Sequence, residues 1–216
     1  MEELIKKAFA SSNKLNKNCL IEKISPVGGG CIHQAWCIHF QNGKKVFAKS
    51  NHMDNINMFK FERECLLALK RFANEAYIYI PNPLEIISYQ NISILFLEWM
   101  DLKQSKQNLL GKGLALIHKS SAEKNNKKFG WEEEGFIGSK SQIGGWDSNW
   151  GKFFVNYRLR PQLIEAIKWG LKVQNYEDVL TYLSSYLNNH NPKISLVHGD
   201  LWSGNCGNIK NGLGTL

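Results

Sequence analysis

The segment LVHGDLWSGN, residues 196–205, decides how the rest of the sequence is interpreted. Two apolar residues lead into His198-Gly199-Asp200, and Asn205 follows Asp200 by five residues. A carboxylate can accept the proton of an attacking hydroxyl, and a carboxamide oxygen can bind Mg²⁺. A short turn after a buried strand would aim both groups at one reacting centre. The alternative is a buried strand that ends in an ordinary polar turn.

The composition describes a globular chain. Its 216 residues are 43% hydrophobic and 21% charged, which is enough for one or two compact domains with a core. No apolar run approaches the length of a transmembrane helix, and the N-terminus reads as a short amphipathic helix without a signal-peptide core, so we expect no membrane partner. Five irregularly spaced cysteines form no metal pattern, and their odd number argues against a full disulfide framework. This usage predicts a cytoplasmic location.

The net charge of +8 could suit an anionic substrate or nucleic acid. The basic residues, however, are scattered along the chain in pairs rather than gathered in one run. We therefore interpret them as a solvated basic surface and expect no nucleic-acid partner.

Residues 20–50 read as three strands with two turns between them. Gly28-Gly29-Gly30 forms the first turn, and Asn42-Gly43 is a strong hairpin signal. Glycine lets backbone N–H groups approach phosphate oxygens closely, although such a triplet is also common in simple turns. Lys49 ends the third, otherwise apolar strand, where it could bind nucleotide phosphates or merely face solvent.

Residues 58–72 carry a helical pattern with one acidic exception on the apolar face. Glu62 lies on that face, and a carboxylate directed at a core is costly unless it is paired. We predict that Lys49 is its partner, as in the lysine–glutamate pair that orders phosphates in kinases. Glu64 is the neighbouring candidate but points away from the face. The alternative is that Glu62 extends to solvent at the edge of the stripe.

Two further strands are predicted at 84–90 and 92–100. The segment FLEWMDL at their end is similar to the kinase hinge, whose backbone groups, here around Glu98, Trp99 and Met100, bind the adenine edge. An ordinary strand end explains the segment nearly as well. From about residue 101 the apolar period changes to that of helices. We therefore predict an ATP-binding lobe over 1–100 and a helical lobe over 101–216, in which the aromatic-rich stretch from 129 is loop-like.

The catalytic-loop segment HGDLWSGN resembles the aminoglycoside-phosphotransferase and choline-kinase superfamily, and most closely the fructosamine (ketosamine-3-) kinases. The segments GGGCIHQAW, VFAKSN and MFKFE match in the same order. The block FIGSKSQ with GGWDSNWGKFFVNYRLRPQL looks like a fructosamine-kinase signature. The resemblance covers nearly the whole chain from about residue 20.

This resemblance implies an α+β, protein-kinase-like bilobal fold. A small antiparallel sheet with one helix would precede a mainly helical lobe. It also implies ATP- and Mg²⁺-dependent phosphorylation of the sugar 3-hydroxyl of a ketosamine, free or protein-linked, as a step in deglycation. The alternatives are a phosphotransferase for another small amine or alcohol, and a non-catalytic nucleotide-binding protein of the same fold.

The resemblance also assigns roles to individual residues. Asp200 would be the base and Asn205 a Mg²⁺ ligand. Lys49 and Glu62 would position the phosphates, with Gly28 to Gly30 covering them. Trp202 would stack on the sugar, although it could equally anchor the loop in the core.

Cys31 directly follows the glycine triplet. Backbone amides and Lys49 nearby would favour its thiolate, so we predict a redox-sensitive thiol. The resemblance supports a cysteine here and suggests a disulfide-linked homodimer as a partner. A small hydrophobic residue filling a turn is the alternative.

The segment after Asn205 contains no aspartate. Kinase-like transfer uses a second metal-binding aspartate beyond the catalytic loop. Asn211-Gly212 looks like the turn that leads to the strand carrying it. We therefore expect this 216-residue chain to be truncated, and weak or inactive in transfer; a cut in the gene model is the alternative.

Overall fold

A computed structural model describes residues 1–12, 14–15, 19–28, 32–103, 107–124 and 128–216. The chain divides into two compact units, one formed by residues 1–118 with 197–216 and the other by residues 119–196. These units are defined by contacts between residues, whereas each predicted lobe is one continuous range of the sequence. The assignment of 1–100 to an ATP-binding lobe and 101–216 to a helical lobe stays a prediction.

The first unit contains most of the strands. Its helices are α1 (Glu2–Ala10), α2 (Ile56–Phe72) and the larger part of α3 (Asn108–Glu123). Its strands are β1 (Ile21–Val27), β2 (Gln34–Phe40), β3 (Lys45–His52), β4 (Ile78–Tyr79), β5 (Pro83–Tyr89), β6 (Ile92–Glu98), β11 (Gly207–Asn208) and β12 (Gly214–Thr215). Short 3₁₀ turns cover Met53–Asn55 and Lys210–Gly212.

The main sheet of this unit is antiparallel, with strand order β1-β2-β3-β6-β5. Successive side chains of a strand point to opposite faces, and the central strand β6 is buried on both. Ile94 and Phe96 pack with Phe9 of α1 on one face. Leu95 packs with Phe59 of α2 on the other. The sheet is thus held between two helices, which confirms the predicted mixed α+β fold.

The hairpin predicted at Asn42-Gly43 is present, and the two strands predicted at 84–90 and 92–100 also pair as a hairpin. Gly43 adopts a left-handed φ of 79° in the turn between β2 and β3, a conformation that glycine tolerates best. The turn from β5 to β6 passes through Gln90 and Asn91. Between the two hairpins, β3 pairs with β6, which places Lys49 opposite Leu95.

A second, three-stranded sheet has the order β11-β12-β4. The predicted turn at 211–212 connects β11 to β12, and Gly212 has a φ of 75°. Strand β12 then pairs in parallel with β4, and the N–H of Gly214 donates to the carbonyl of Tyr77 at 3.0 Å. The segment that follows Asn205 is therefore fixed to β4 of the first unit by backbone hydrogen bonds.

The prediction of a buried strand before His198 was wrong. Residues 191–198 have no regular secondary structure, and Val197 is 58% exposed. A strand is stable only when a neighbouring strand satisfies its backbone groups. Among the described strands none pairs with this segment. Instead, the N–H of Leu196 donates to the hydroxyl of Ser121 at 2.9 Å.

The second unit is built from short elements. Its strands are β7 (Phe129–Trp131), β8 (Gly135–Ile137), β9 (Lys140–Gln142) and β10 (Gly145–Asp147). Its helices are α4 (Trp150–Phe154), a π-helical turn (Val155–Leu159), α5 (Arg160–Lys168) and α6 (Tyr176–Asn188). The stretch expected to be loop-like thus contains two small antiparallel pairs, β7 with β10 and β8 with β9. In the part of the chain that the structure describes, no helix is long and apolar enough to cross a bilayer.

Replacing either of two glycines of α3 by alanine is expected to change the stability of the protein in opposite directions. A Cβ at Gly113 would lie 2.4 Å from the Cβ of Ile78, whereas a Cβ at Gly111 would meet nothing within 4 Å. We expect Gly113→Ala to lower the free energy of unfolding by about 1–3 kcal/mol through overpacking. Gly111→Ala should raise it by roughly 0.5–1 kcal/mol because alanine is the better helix former. Denaturant unfolding of both variants tests this, and equal shifts would contradict the close approach of α3 to β4.

Candidate active site

The predicted ion pair between Lys49 and Glu62 is present. The Nζ of Lys49 on β3 lies 2.6 Å from the Oε1 of Glu62 on α2. The two side chains are 28% and 25% exposed, so the pair borders the core while remaining accessible from one side. Glu62 therefore does not extend alone to solvent, and the ammonium of Lys49 is held at a defined position.

The strand register explains why Lys49 reaches this helix. Lys49 lies opposite Leu95, which packs against Phe59 of α2, so the lysine points to the same face of the sheet. Glu62 follows Phe59 by three residues and lies on the same side of α2. Glu64 instead pairs with Arg63 at 3.0 Å on the exposed side of the helix, as its predicted direction requires.

The loop after His198 brings the predicted base and metal ligand into contact. The Nδ2 of Asn205 donates to the Oδ2 of Asp200 at 2.8 Å and to its backbone carbonyl at 2.9 Å. Both bonds use the amide nitrogen, which leaves the carboxamide oxygen of Asn205 as the atom that can bind a cation. Gly199 has a φ of 84°, so the turn into Asp200 needs a glycine there.

The positive charge of Lys49 lowers the pKa of two histidines, His198 and His33. Burial lowers the pKa of His198, and the ammonium of Lys49 adds to this, while Asp200 raises the pKa. Burial is also the main cause of the lowered pKa of His33, which Lys49 lowers further and Glu62 raises. Lys49 thus lies near both His198 and His33, and both imidazoles favour the neutral form.

The predicted hinge residues line a cavity of about 540 Å³. Its other lining residues come from β4, from the segment after β6 and from the connection between β11 and β12: Tyr79, Asp101, Lys103, Ile209 and Lys210. The cavity presents aromatic and apolar surface beside backbone groups of residues 98–100. A planar, largely apolar ligand with a polar edge would match this surface.

The carboxylate of Glu98 is used within the protein. Its Oε2 accepts from the hydroxyl of Tyr79 at 2.8 Å and from the Nδ2 of Asn82 at 2.6 Å. Burial and the Glu98 carboxylate both raise the pKa of Tyr79. The backbone N–H of Glu98 donates to the carbonyl of Asn82. Recognition by this residue would therefore have to use its backbone carbonyl.

Trp99 lies at one wall of the cavity and is held from two sides. Its Nε1 donates to the Oδ1 of Asp101 at 2.7 Å, the main cause of the lowered pKa of that carboxyl group. The ammonium of Lys45 lies 5.5 Å from the centre of the indole ring and 3.6 Å from Asp101. The ring is thereby fixed in orientation.

The remaining predicted site residues are placed less tightly. Trp202 is 51% exposed, and its ring covers Gly204, where a Cβ would lie 2.3 Å from the indole. Its role towards a sugar stays a prediction. Among the described residues, none lies within 4 Å of a Cβ placed at Gly28. Gly29, Gly30 and Cys31 lie outside the described residues, and their predicted roles are untested.

The site described above can be compared with known proteins. A family model described as fructosamine kinase matches residues 2–215. The chain belongs to the fructosamine kinase family. The predicted resemblance is therefore confirmed over almost the full sequence.

Relatives of this family member include named kinases. It is 32% identical to a "Probable ketoamine kinase" of Synechocystis sp. over 86% of its own length and 61% of the relative's. It is 35% identical to a chloroplastic "Protein-ribulosamine 3-kinase" of Arabidopsis thaliana over 88% and 59%. A crystal structure of a "Putative fructosamine-3-kinase" from Haemophilus somnus superposes with a TM-score of 0.83 at 25% identity, covering all of this chain and 71% of that one. The chain thus spans about three fifths of the length of these two sequence relatives.

Sequence reasoning missed two residues next to the ion pair of this family member. His33 and Asn51 lie beside Lys49 and α2, and their side chains are joined by a 2.8 Å hydrogen bond. The predicted pairing of strands 31–40 and 45–49 contained the signal. Extending the register of Ala35 with Lys49 by two residues places His33 opposite Asn51 on the same face.

Proposed function

We propose that this chain binds ATP and takes part in phosphorylating the sugar 3-hydroxyl of a ketosamine, as an ATP-dependent kinase of the fructosamine kinase type. The observation that carries the proposal is that the Lys49–Glu62 ion pair and the Asp200–Asn205 loop occur in one compact unit. A phosphate-binding cation and a base beside a metal ligand are the parts that phosphoryl transfer requires. The kinase names of the relatives support the same reaction class.

Each residue has a defined task in this proposal. Lys49, held by Glu62, binds the nucleotide phosphates. Asp200 accepts the proton of the sugar hydroxyl as that oxygen bonds to the γ-phosphorus, and the bond from this phosphorus to the β-phosphate oxygen breaks to release ADP. Backbone groups of residues 98–100 contact the adenine in the cavity described above. Trp202 offers an exposed aromatic face to the sugar.

The residues of the loop fit a bound Mg²⁺. Magnesium prefers oxygen ligands and commonly completes its coordination with water and substrate phosphates. The carboxamide oxygen of Asn205, beside the carboxylate of Asp200, is such a donor. The ion would neutralise charge that develops on the transferred phosphoryl group.

The proposal is tested by one ATP-dependent assay with three classes of acceptor. The first class is the ketosamines of fructose, ribulose and erythrulose; the second is choline; the third is an aminoglycoside. Single-turnover conditions with the protein in excess detect slow transfer. Transfer to a ketosamine alone supports the proposal. Transfer to choline or the aminoglycoside indicates a phosphotransferase for another amine or alcohol, and nucleotide binding without any transfer favours a binding protein.

Three further expectations belong with this proposal. We propose a protein-linked or small ketosamine as the partner, a cytoplasmic location and, through Cys31, a disulfide-linked homodimer.

A further inference from the structure

The side chain of Asn51 joins two segments that flank the ion pair. Its Nδ2 donates to the Nδ1 of His33 at 2.8 Å and to the carbonyl of Ile32 at 3.3 Å. Its Oδ1 accepts from the Nδ2 of Asn55 at 3.1 Å, and Asn55 directly precedes α2. Asn51 therefore connects the residues that lead into β2 with the start of the helix that carries Glu62.

The hydrogen bonds fix the tautomer of His33. The backbone N–H of His52 can only donate, and it lies 2.7 Å from the Oδ1 of Asn51, so the carboxamide orientation is determined. The Nδ2 of Asn51 must then donate to His33, whose Nδ1 acts as the acceptor. The neutral imidazole consequently carries its proton on Nε2.

His33 also contacts α2 directly. Its ring centre lies 4.7 Å from that of Phe59, which is fully buried between the helix and the sheet. Phe59 and Glu62 are three residues apart on α2, so a shift of the helix would move both together. A displacement on the order of 1 Å is enough to disturb a catalytic arrangement, and the Lys49–Glu62 contact is only 2.6 Å long.

We propose that His33 is a positioning residue: with Asn51 it fixes the first turns of α2 against the sheet, so that Glu62 holds Lys49 in place for the nucleotide phosphates. The last part rests on the proposed function, because it takes Lys49 to be the phosphate-binding cation. The first part concerns only the described contacts of His33, Asn51 and Phe59 and can be tested without a ligand.

This arrangement predicts a pH dependence. The charged groups that face His33 are Lys49 on β3 and Glu62 on α2, and burial with Lys49 outweighs Glu62 to lower the pKa of His33 below its ordinary value of 6.5. Because the pKa is lower in the folded state, the stabilisation is complete above pH 6.5 and is lost as the pH falls through the lowered pKa. Protonation places an N–H against the donor of Asn51 and removes the bond.

The test compares three variants by amide hydrogen exchange of residues 56–62 and by the affinity for Mg·ATP between pH 5 and 8. His33→Ala should speed exchange in this segment and weaken ATP binding, each by roughly 2- to 10-fold, the effect of one lost hydrogen bond. His33→Asn should restore both the slow exchange and the ATP affinity. Its Oδ1, bonded to Cγ like the Nδ1 of histidine, can accept the same hydrogen bond from Asn51. It should also abolish the loss of affinity at low pH. His39→Ala is the matched control on β2, since His39 contacts Ser25 instead.

The outcomes separate the two proposals. Unchanged exchange in His33→Ala, or His33→Asn behaving like His33→Ala, would overturn the positioning role. Faster exchange that extends equally to residues 83–98 would also overturn it, because the effect would then be a general loss of stability. Local acceleration without any ATP binding by the parent chain would support the contacts at α2 and count against the proposed function.

Discussion

Asp200→Asn is expected to lower the rate of phosphoryl transfer by about 10²- to 10⁴-fold, the contribution typical of a positioned general base. The asparagine keeps the size of the side chain but has no carboxylate to take up the hydroxyl proton. The bond from the Nδ2 of Asn205 to the backbone carbonyl at position 200 does not depend on the substituted group. The loop should therefore keep its shape, and affinity for ATP should stay close to that of the parent.

Single-turnover transfer of labelled γ-phosphate to a ketosamine measures the rate, and equilibrium titration measures ATP affinity. Ser203→Ala is the matched control, because Ser203 is exposed in the same loop and has no role in the proposed chemistry. Transfer by Asp200→Asn at the rate of the parent chain would remove Asp200 from the role of base. Loss of ATP binding in the same variant would instead show that the residue maintains the site.

Lys49→Met is expected to weaken ATP binding by about 10- to 150-fold. This is the equivalent of the roughly 1.5–3 kcal/mol that a hydrogen bond to a charged group contributes. Methionine preserves the apolar stem of the side chain, so the loss reports on the ammonium group. Glu62→Gln should have a smaller effect in the same direction, because the amide oxygen can still accept from Lys49 although the attraction between opposite charges is gone.

Isothermal titration with Mg·ATP compares these variants with two controls on α2. Lys60→Met removes an exposed lysine, and Glu64→Gln removes the glutamate that pairs with exposed Arg63. Both should bind ATP like the parent. If Lys49→Met binds ATP normally, Lys49 does not contact the phosphates. If Glu62→Gln alone has no effect, the ion pair does not determine the position of Lys49.

The sequence predicted those parts of the site that depend on local periodicity. The acidic residue on the apolar face of residues 58–72 identified Glu62 as the partner of Lys49, and the hairpin signal at Asn42-Gly43 predicted the pairing of β2 with β3. An unpaired buried charge is costly, which leaves Glu62 few other arrangements. A two-residue hairpin turn likewise accepts few sequences other than Asn-Gly and its like. The spacing of Asp200 and Asn205 likewise predicted two groups that the structure brings into hydrogen-bond contact.

Other features depend on contacts between distant segments and have no local pattern. The parallel pairing of β12 with β4 involves two residues from each strand. Apolar residues at 196–197 suggested a buried strand, but a strand also needs a neighbour to satisfy its backbone, which the sequence cannot display. Asn51 was overlooked because an asparagine near a strand end usually indicates a turn, whereas here it connects His33 with the start of α2.

The pairing of β12 with β4 also affects the order in which parts of the fold form during synthesis. Within the main sheet, β1 with β2 and β2 with β3 are hairpin partners close in sequence, and such contacts form early and rapidly. Ile78 and Gly214, in contrast, are far apart in sequence, so the loop bearing Asp200 gains this anchor only after Gly214 has been synthesised. The cavity beside residues 98–100 is completed by Ile209 and Lys210 at the same late stage, so the proposed nucleotide site and the loop bearing Asp200 would be finished together.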